Sequence, residues 1–193
     1  MSLKLNSSGG GSVTLQEPST ASNLTLTLPA VTGTVLTTST VGTVLQVVST
    51  NKTDTFSTTS GTYVDVTGLS VSITPTSTTS KIYVVVTLGF CAAAGTRAAF
   101  QLVRGSTAVG VGDASGSRTT ASSSGGTGSP ATMESTSFSF FDSPSTTSST
   151  TYKVQTAFID ASGTLYINRT VNDDDAASRP RTSSTITVME IAA

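Results

Sequence analysis

The sequence predicts an all-β chain, with an N-terminal extended arm followed by a jelly-roll-like antiparallel β-sandwich. Three observations lead there. Ser and Thr number 32 and 39 of 193 residues, beside 19 Val, and these residues lower helix propensity along the whole chain. Apolar residues alternate with hydroxyl residues at a period of two and nowhere recur at i, i+3, i+4 and i+7 over three turns. Turn residues punctuate the alternation roughly every ten to fifteen residues, as in sandwiches. A Ser/Thr-rich, charge-poor chain can be disordered, but 36% apolar residues in a regular alternation supply a core.

Residues 1–43 read as the arm. Gly9-Gly10-Gly11, Pro18, Pro29 and Gly33 interrupt them too often for a compact subdomain. They nevertheless carry Leu3, Leu5, Val13, Leu15, Leu24, Leu26, Leu28, Val35 and Leu36, too much apolar surface for a free tail, so these positions are predicted to bind a partner chain. Within the arm, Leu24, Leu26 and Leu28 alternate with Thr25 and Thr27 as a strand would.

Residues 44–193 read as the sandwich. Strands are predicted at 44–48, 63–66, 69–73, 81–88, 98–104, 107–111, 136–141, 152–159, 164–169 and 184–191. Turns are expected at Gly61, Thr67-Gly68, Pro75, Gly105-Ser106, Asp142-Ser143-Pro144 and Ser162-Gly163. The run Ile82 to Val86 is apolar on both faces, the pattern of a central strand covered on both sides. Phe138, Phe140, Phe141, Tyr152, Phe158 and Tyr166 fall on these strands and are assigned to the core. Residues 112–132 and 172–181 read as exposed loops, the places where a β scaffold carries binding surfaces. Their host-surface candidates are Asp113, Arg118, Thr119 and Ser123 in the first and Asn172, Arg179 and Arg181 in the second.

Composition removes whole classes of chemistry. The chain has no His, hence no Ser-His-Asp or Cys-His machinery, and with one Cys, Cys91, no disulfide framework or Cys-rich zinc site. Cys91 is read as a small buried apolar residue. The ten basic residues are scattered, so no nucleic-acid partner is expected. No apolar run is long enough to span a membrane, and MSLKLNSSGGG lacks the apolar core of an export signal. A carboxylate pair could still hydrolyse a glycosidic bond, but none of the eleven acids stands in a recognisable catalytic spacing, and without Trp the usual sugar-stacking platform is missing. Asp173, Asp174 and Asp175 are weak metal candidates. They lack the D-x-D-x-D-G spacing of a calcium loop, and pairing with Arg179 or Arg181 is the preferred reading. Asn6, Asn23, Asn51 and Asn168 each open an Asn-X-Ser/Thr triplet, which so hydroxyl-rich a chain produces by chance. No cofactor is expected. A low charge fraction, 11%, also suggests that copies of the chain cover part of its surface.

The opening SLKLNSSGGGSVTLQEPSTASNLTLTLPAVTGTVLTT, the segment GTVLQVVSTNKTDTFSTTSGTYVDVTGLSVSITPTSTTSKIYVVVTL and the later FFDSPSTTSSTTYKVQ, YINRT and SSTITVMEI together resemble virion structural proteins of tailed bacteriophages, of the tail-fibre-like or head-decoration-like type. The resemblance covers most of the chain and leaves 112–132 and much of 172–181 unmatched. It implies a homotrimer on the outside of the particle with a β-sandwich head and no enzymatic activity. The first functional expectation is a fibre tip attached to baseplate or tail proteins through the arm and meeting the host surface through the loops, with a cell-surface glycan as a candidate contact. Members labelled as fibres often carry a shaft of repeats, which is missing here. That shortness leaves open a capsid decoration or cement protein, whose arm clamps the major capsid protein of the phage head.

Overall fold

The computed structural model describes residues 2–6, 8–10, 12–16, 19, 42–160 and 162–193. The chain divides into two compact units, Met1–Val35 and Leu36–Ala193. Among the described residues every helix or strand element is a strand, as the period-two alternation requires.

In the first unit β1 (Ser2–Asn6) and β2 (Ser12–Gln16) pair antiparallel, with Leu3 opposite Leu15 and Leu5 opposite Val13. The extended arm thus contains a hairpin. Its two strands alternate in sequence, and Gly10 between them, at φ +84°, lets the chain reverse. Leu24, Leu26, Leu28, Val35 and Leu36, with the strand expected over 24–28, lie outside the described residues.

The second unit holds β3 (Val44–Lys52), β4 (Phe56–Thr58), β5 (Val64–Ile73), β6 (Lys81–Cys91), β7 (Arg97–Arg104), β8 (Thr107–Val109), β9 (Ser123–Gly126), β10 (Glu134–Asp142), β11 (Thr150–Phe158), β12 (Leu165–Ile167) and β13 (Ser184–Ile191). One sheet runs β3-β13-β6-β12-β4, with β10 on the other edge of β6. The second runs β5-β11-β7-β8, with β9 also on β7. Leaving aside β4, β9 and β12, the strands pair outermost to innermost along the chain: β3 with β13, β5 with β11, β6 with β10, β7 with β8. The pairs fall alternately in the two sheets. That is the winding of a jelly roll, a long hairpin rolled into two antiparallel sheets.

The alternation explains which face each strand buries. Ile82, Val84, Val86 and Leu88 of β6, Ile186 and Val188 of β13, Phe100 and Leu102 of β7, and Tyr152 and Val154 of β11 are all fully buried between the sheets. Each such side chain contributes about 1.5–3 kcal/mol relative to exposure. Phe138 and Phe140 pack against this core from β10.

The strands depart from the sequence expectation where tertiary contacts outweigh local signals. The turn expected at Thr67-Gly68 is an enlarged bulge inside one strand, β5. Lys153 opposes Ser70 and Gln155 opposes Asp65, so Val66 to Leu69 bow out between them. Gly68 supplies the bend at φ +80°, and the bulge returns both Val66 and Leu69 to the core. The strand expected over 107–111 stops at Val109, because Gly110 turns at φ +61° against the Phe140 ring. The one expected over 164–169 stops at Ile167, because Asn168 is left-handed at φ +63°. Neither β4 nor β9 was expected.

Candidate functional site

The strand pairings give the sandwich two distinct ends. The chain enters at Gly42, whose N–H donates to Ala192 O at 2.8 Å, while Ala192 N–H donates to Thr43 O at 2.9 Å. Val44 then stands opposite Ile191, and Ile191 opposite Lys81. The entry is therefore at the Lys81 end of β6. Residues 168–183, between β12 and β13, lie at the Cys91 end, since Ser184 opposes Lys52 and Ile167 opposes Phe90. With 11 residues in β6, about 34 Å separates the two ends at 3.4 Å per step.

Asn168 ties the far end together. It is fully buried; its Nδ2 donates to Lys52 O and Asp54 O, both at 2.9 Å, and its Oδ1 accepts from Ser184 Oγ at 2.6 Å. Its triplet is therefore a structural joint between β3, β12 and β13, with no free amide to modify. Next to it Lys52, buried under the Gly68 bulge, donates to the exposed Asp54 at 2.7 Å, and this hydrogen bond holds the Asp54 carboxyl below its usual range. Thr182 lies over Gly89, and its buried Oγ1 is without a hydrogen-bond partner among the described residues.

On this joint stands the 172–181 loop, with Asn172 and Arg181 exposed and Arg179 half-buried. Asp173 and Asp174 pair within the loop or with its base. Asp173 meets Arg181 at 2.7 Å and Arg169 at 3.2 Å; Asp174 accepts from Arg179 at 3.0 Å, which holds its carboxyl down. Asp175 is exposed. Among the described residues no three potential ligands converge on a metal position. Arg169 also lies over the Tyr166 ring, 4.1 Å from its centroid, so Tyr166 stiffens this end as a cation–π platform instead of filling the core.

The other expected loop, 112–132, is in fact two features. Residues 112–119, with Asp113, Arg118 and Thr119, are exposed and leave from the sheet edge between β8 and β9. Arg118 Nη1 donates to Ser115 Oγ at 2.9 Å, and Tyr63 anchors the base through its hydroxyl on Thr120 O at 2.6 Å. Ser123 is a correction: it opens β9 opposite Phe100, and its hydroxyl shares a 2.6 Å hydrogen bond with that of Thr136. Strand β9 is held by ladder bonds to β7 and by Gly125, where a Cβ would stand 2.5 Å from Phe90 Cζ. Thr127 is buried, donating to Ala92 O and Ala93 O. Residues 127–132 reach the base of the 172–181 loop, where Val171 N–H donates to Pro130 O at 3.1 Å. Cys91, buried beneath the Ser129 and Pro130 carbonyls, has its thiol pushed up by burial and packs as the inert residue expected.

The entry end carries buried polar groups, each engaged. Glu190 accepts from Thr76 N and Thr76 Oγ1, both at 2.7 Å, and from Gln46 Nε2 at 2.6 Å. Burial alone would raise its carboxyl, but the hydrogen bonds outweigh it and bring the pKa to about 2. Beside it an open cleft of about 520 Å³ is lined by Leu45, Thr76, Ser77, Thr79, Ser80 and the two terminal alanines. Across the sandwich, Asp142 accepts from Tyr152 Oη at 2.6 Å and from Arg104 Nη1 at 2.8 Å. Burial and the Asp142 carboxylate push the Tyr152 hydroxyl up, so it stays a donor. Asp65 and Asp160 are likewise held by Lys153 and Arg97. These carboxylates are each engaged by hydrogen-bond donors and do not stand in facing pairs around an open cleft.

The outer faces of the two sheets differ in chemistry. On the five-stranded sheet Gln101 donates to Gln155 at 2.7 Å, Gln155 donates to Asp65 at 2.7 Å, and Lys153 donates to Asp65 at 2.8 Å. The six-stranded sheet presents rows across β3, β13, β6 and β10: Val47-Met189-Tyr83-Phe141, then Ser49-Thr187-Val85-Ser139, then Asn51-Thr185-Thr87-Ser137. Phe141, assigned to the core by its sequence, is 54% exposed here, with its ring 5.2 Å from that of Tyr83. Phe140 already occupies the inward position, so its neighbour must point out. Val47 is 56% and Val44 49% exposed on the same face. The double-sided apolar run Ile82 to Val86 was the signal for this face.

No protein-family pattern matches the chain, and no curated protein matches it. Among solved structures, that of the Gx strain of infectious bursal disease virus is similar over 95% of this chain and 43% of the viral chain, with 17% identity and a TM-score of 0.40. A mutant VP2 protein of the same virus, in derived T=1 particles, gives the same coverage and TM-score at 16% identity, and the virus's T13 particle gives 0.38 at 16%. The chain spans less than half the length of these viral proteins. Likeness of this degree carries no statement about function.

Proposed function

We propose that the chain is a non-enzymatic structural protein on the outside of a tailed-bacteriophage virion: a homotrimeric fibre tip, anchored through residues 1–43 and meeting the host surface with loops of its jelly roll. The observation that supports this reading is the polarity of the sandwich. The chain enters beside Val44 and Lys81, while the 172–181 loop and residues 127–132 stand at the opposite end, about 34 Å away. A tether at one end and a charge-bearing loop at the other suit a module that holds a contact surface away from its support. Rigid ladders beneath the loops and weak contacts multiplied by three copies and several trimers per particle would give firm attachment.

The resemblance to tail-fibre-like virion proteins agrees with the jelly-roll head, and the engaged state of the buried carboxylates favours a binding over a hydrolytic role. Of the loop candidates, Asn172, Arg179 and Arg181 are the better placed; Asp113, Arg118 and Thr119 stand on the sheet edge. The test is to locate a gold-tagged fusion of the protein on intact particles by electron microscopy. Label at the tail or baseplate is expected. Label over the head shell would replace this reading with a capsid decoration protein whose arm clamps the shell.

A further inference from the structure

We infer that the outer face of the six-stranded sheet, from β3 to β10, is the surface on which copies of this chain pack against one another. The inference rests on the self-association in the proposed function and adds which sheet carries it.

The argument begins with what the chain covers by itself. Along β6 the upper part of this face is already closed: Thr182 and Met133 sit against Gly89, and the Ser129 and Pro130 carbonyls lie over Cys91. The covering stops there. Below it Val47, Met189, Tyr83 and Phe141 form an apolar band one residue deep and four strands wide. Of the four large apolar side chains that are most exposed among the described residues, Val44, Val47 and Phe141 all lie on this face. Exposed apolar groups gathered on one flat face, and not scattered singly, mark an interaction surface.

The occupant follows from the charge pattern. In a ring of copies around an axis parallel to the strands, each row of one face meets the same row of the next, so every row must tolerate itself. An apolar row does. Hydroxyl rows do too, because Ser and Thr both donate and accept, as the pairs Ser49 with Thr187 at 2.8 Å and Thr87 with Ser137 at 3.1 Å already show within one copy. A charged row would face its own sign. Among the outward residues of β3, β13, β6 and β10 the charge is Lys81, at the rim, where it donates to Ser143 at 2.7 Å. The opposite sheet fails the same criterion, with Asp65 and Lys153 in its rows and its polar groups already bonded to each other. A partner of different chemistry would be expected to meet charged complements, which this face lacks. An axis along the strands also keeps every chain entry at one end of the assembly and every 172–181 loop at the other.

The test measures the mass of the full chain by light scattering over a range of concentrations, for the natural sequence, for Val47→Glu with Phe141→Glu, for the milder Phe141→Ser, and for Ser70→Glu on the opposite sheet. Thermal melting checks that each variant is folded. The natural chain and Ser70→Glu are expected to form the same small oligomer. Phe141→Ser should raise the concentration at which it dissociates about tenfold, and the double glutamate should give a folded monomer. A natural oligomer that survives in the folded Phe141→Ser and double-glutamate variants would overturn this face as the interface, while leaving the trimer to another contact. A natural chain that stays monomeric at tens of micromolar, a range typical of weak association, would overturn self-association itself. The place of the protein on the virion is decided separately by the labelling experiment.

Discussion

The Arg104 guanidinium reaches across the sandwich to Asp142, with Nη1 2.8 Å from Oδ1 and 2.9 Å from Oδ2. Arg104 ends β7 in one sheet and Asp142 ends β10 in the other, so the pair is a clasp between them. Tyr152 of β11 closes it by donating to Oδ2 at 2.6 Å. Removing Asp142 leaves the buried Tyr152 hydroxyl and the half-buried Arg104 guanidinium without this partner, which costs more than the clasp contributes as a whole. Asp142→Ala should lower unfolding stability by about 2–4 kcal/mol, and Tyr152→Phe by about 1–2 kcal/mol. Denaturant titration of both single variants and the double variant should show non-additivity of at least about 0.5 kcal/mol. Additive losses would show that the three side chains do not act as a unit.

Glu190 sets an acid limit on stability. Its ordinary value is 4.5 and its folded value about 2. A carboxyl depressed on folding contributes stability that is fully present above the unfolded value and lost as pH falls toward the folded one. The loss should therefore run from about pH 4.5 down to 2 and amount to no more than about 3 kcal/mol. Glu190→Gln should be less stable at pH 7 and have a flatter profile across that window. The slope that remains should come from Asp54, Asp65, Asp160 and Asp174, which their own cationic partners hold down. A profile as steep in Glu190→Gln as in the natural protein would show that Glu190 is not the dominant group.

What the sequence disclosed follows from where each structure gets its stability. Strands such as β6 and β13 were legible because every second residue enters the core, and that demand is written as Ile82, Val84, Val86 or Ile186, Val188. Strand β9 was not, since Ser123-Ser124-Gly125-Gly126 holds no apolar residue and is a strand only because β7 and Phe90 accept it. The bulge in β5 was legible as a bend but not as a continuing strand, because that depends on Val154 standing alone opposite it. In the loop, Asp173 and Arg181 are eight residues apart and their pairing could be anticipated; the Arg104-Asp142 clasp spans 38 residues and has no local signature. The outer-face band was half legible. Phe140 and Phe141 cannot both point inward, and the alternation Ser137-Phe138-Ser139-Phe140 gives the inward place to Phe140; what it does not give is the alignment of Val47, Met189 and Tyr83 beside Phe141, which comes from strand pairing.

Gly125 is required by its neighbour and not by its own backbone. A Cβ there would stand 2.5 Å from Phe90 Cζ and 3.4 Å from both Phe90 Cε atoms. Gly125→Ala should therefore destabilise the fold by about 1–3 kcal/mol through overpacking. Phe90→Leu in the same chain should recover part of the loss, although alone it is destabilising because it leaves space beside Phe100, whose ring lies 5.0 Å away. Melting temperatures of the two single variants and the double variant check this. If Phe90→Leu made Gly125→Ala worse, the clash would not be the reason for the glycine.

The 172–181 loop offers the most direct test of a contact role, because its charges contribute little to folding. Arg181 pairs with Asp173, and the half-buried Arg179 with the exposed Asp174. Solvent-accessible pairs of this kind are worth about 0–1 kcal/mol each. Arg179→Ala with Arg181→Ala should leave the melting temperature within a few degrees of the natural protein, an estimate for a domain of this size. The fold beneath is fixed by Asn168, Ser184 and Lys52, which these changes do not touch. Particles carrying the doubly substituted protein should adsorb to host cells at least about tenfold more slowly if the loop supplies charged contacts multiplied over several copies. The effect should shrink as salt is raised, because surface charge pairs are screened. Unchanged adsorption would shift the contact surface to Asp113, Arg118 and Thr119 on the sheet edge, which the same assay on substitutions there would then address.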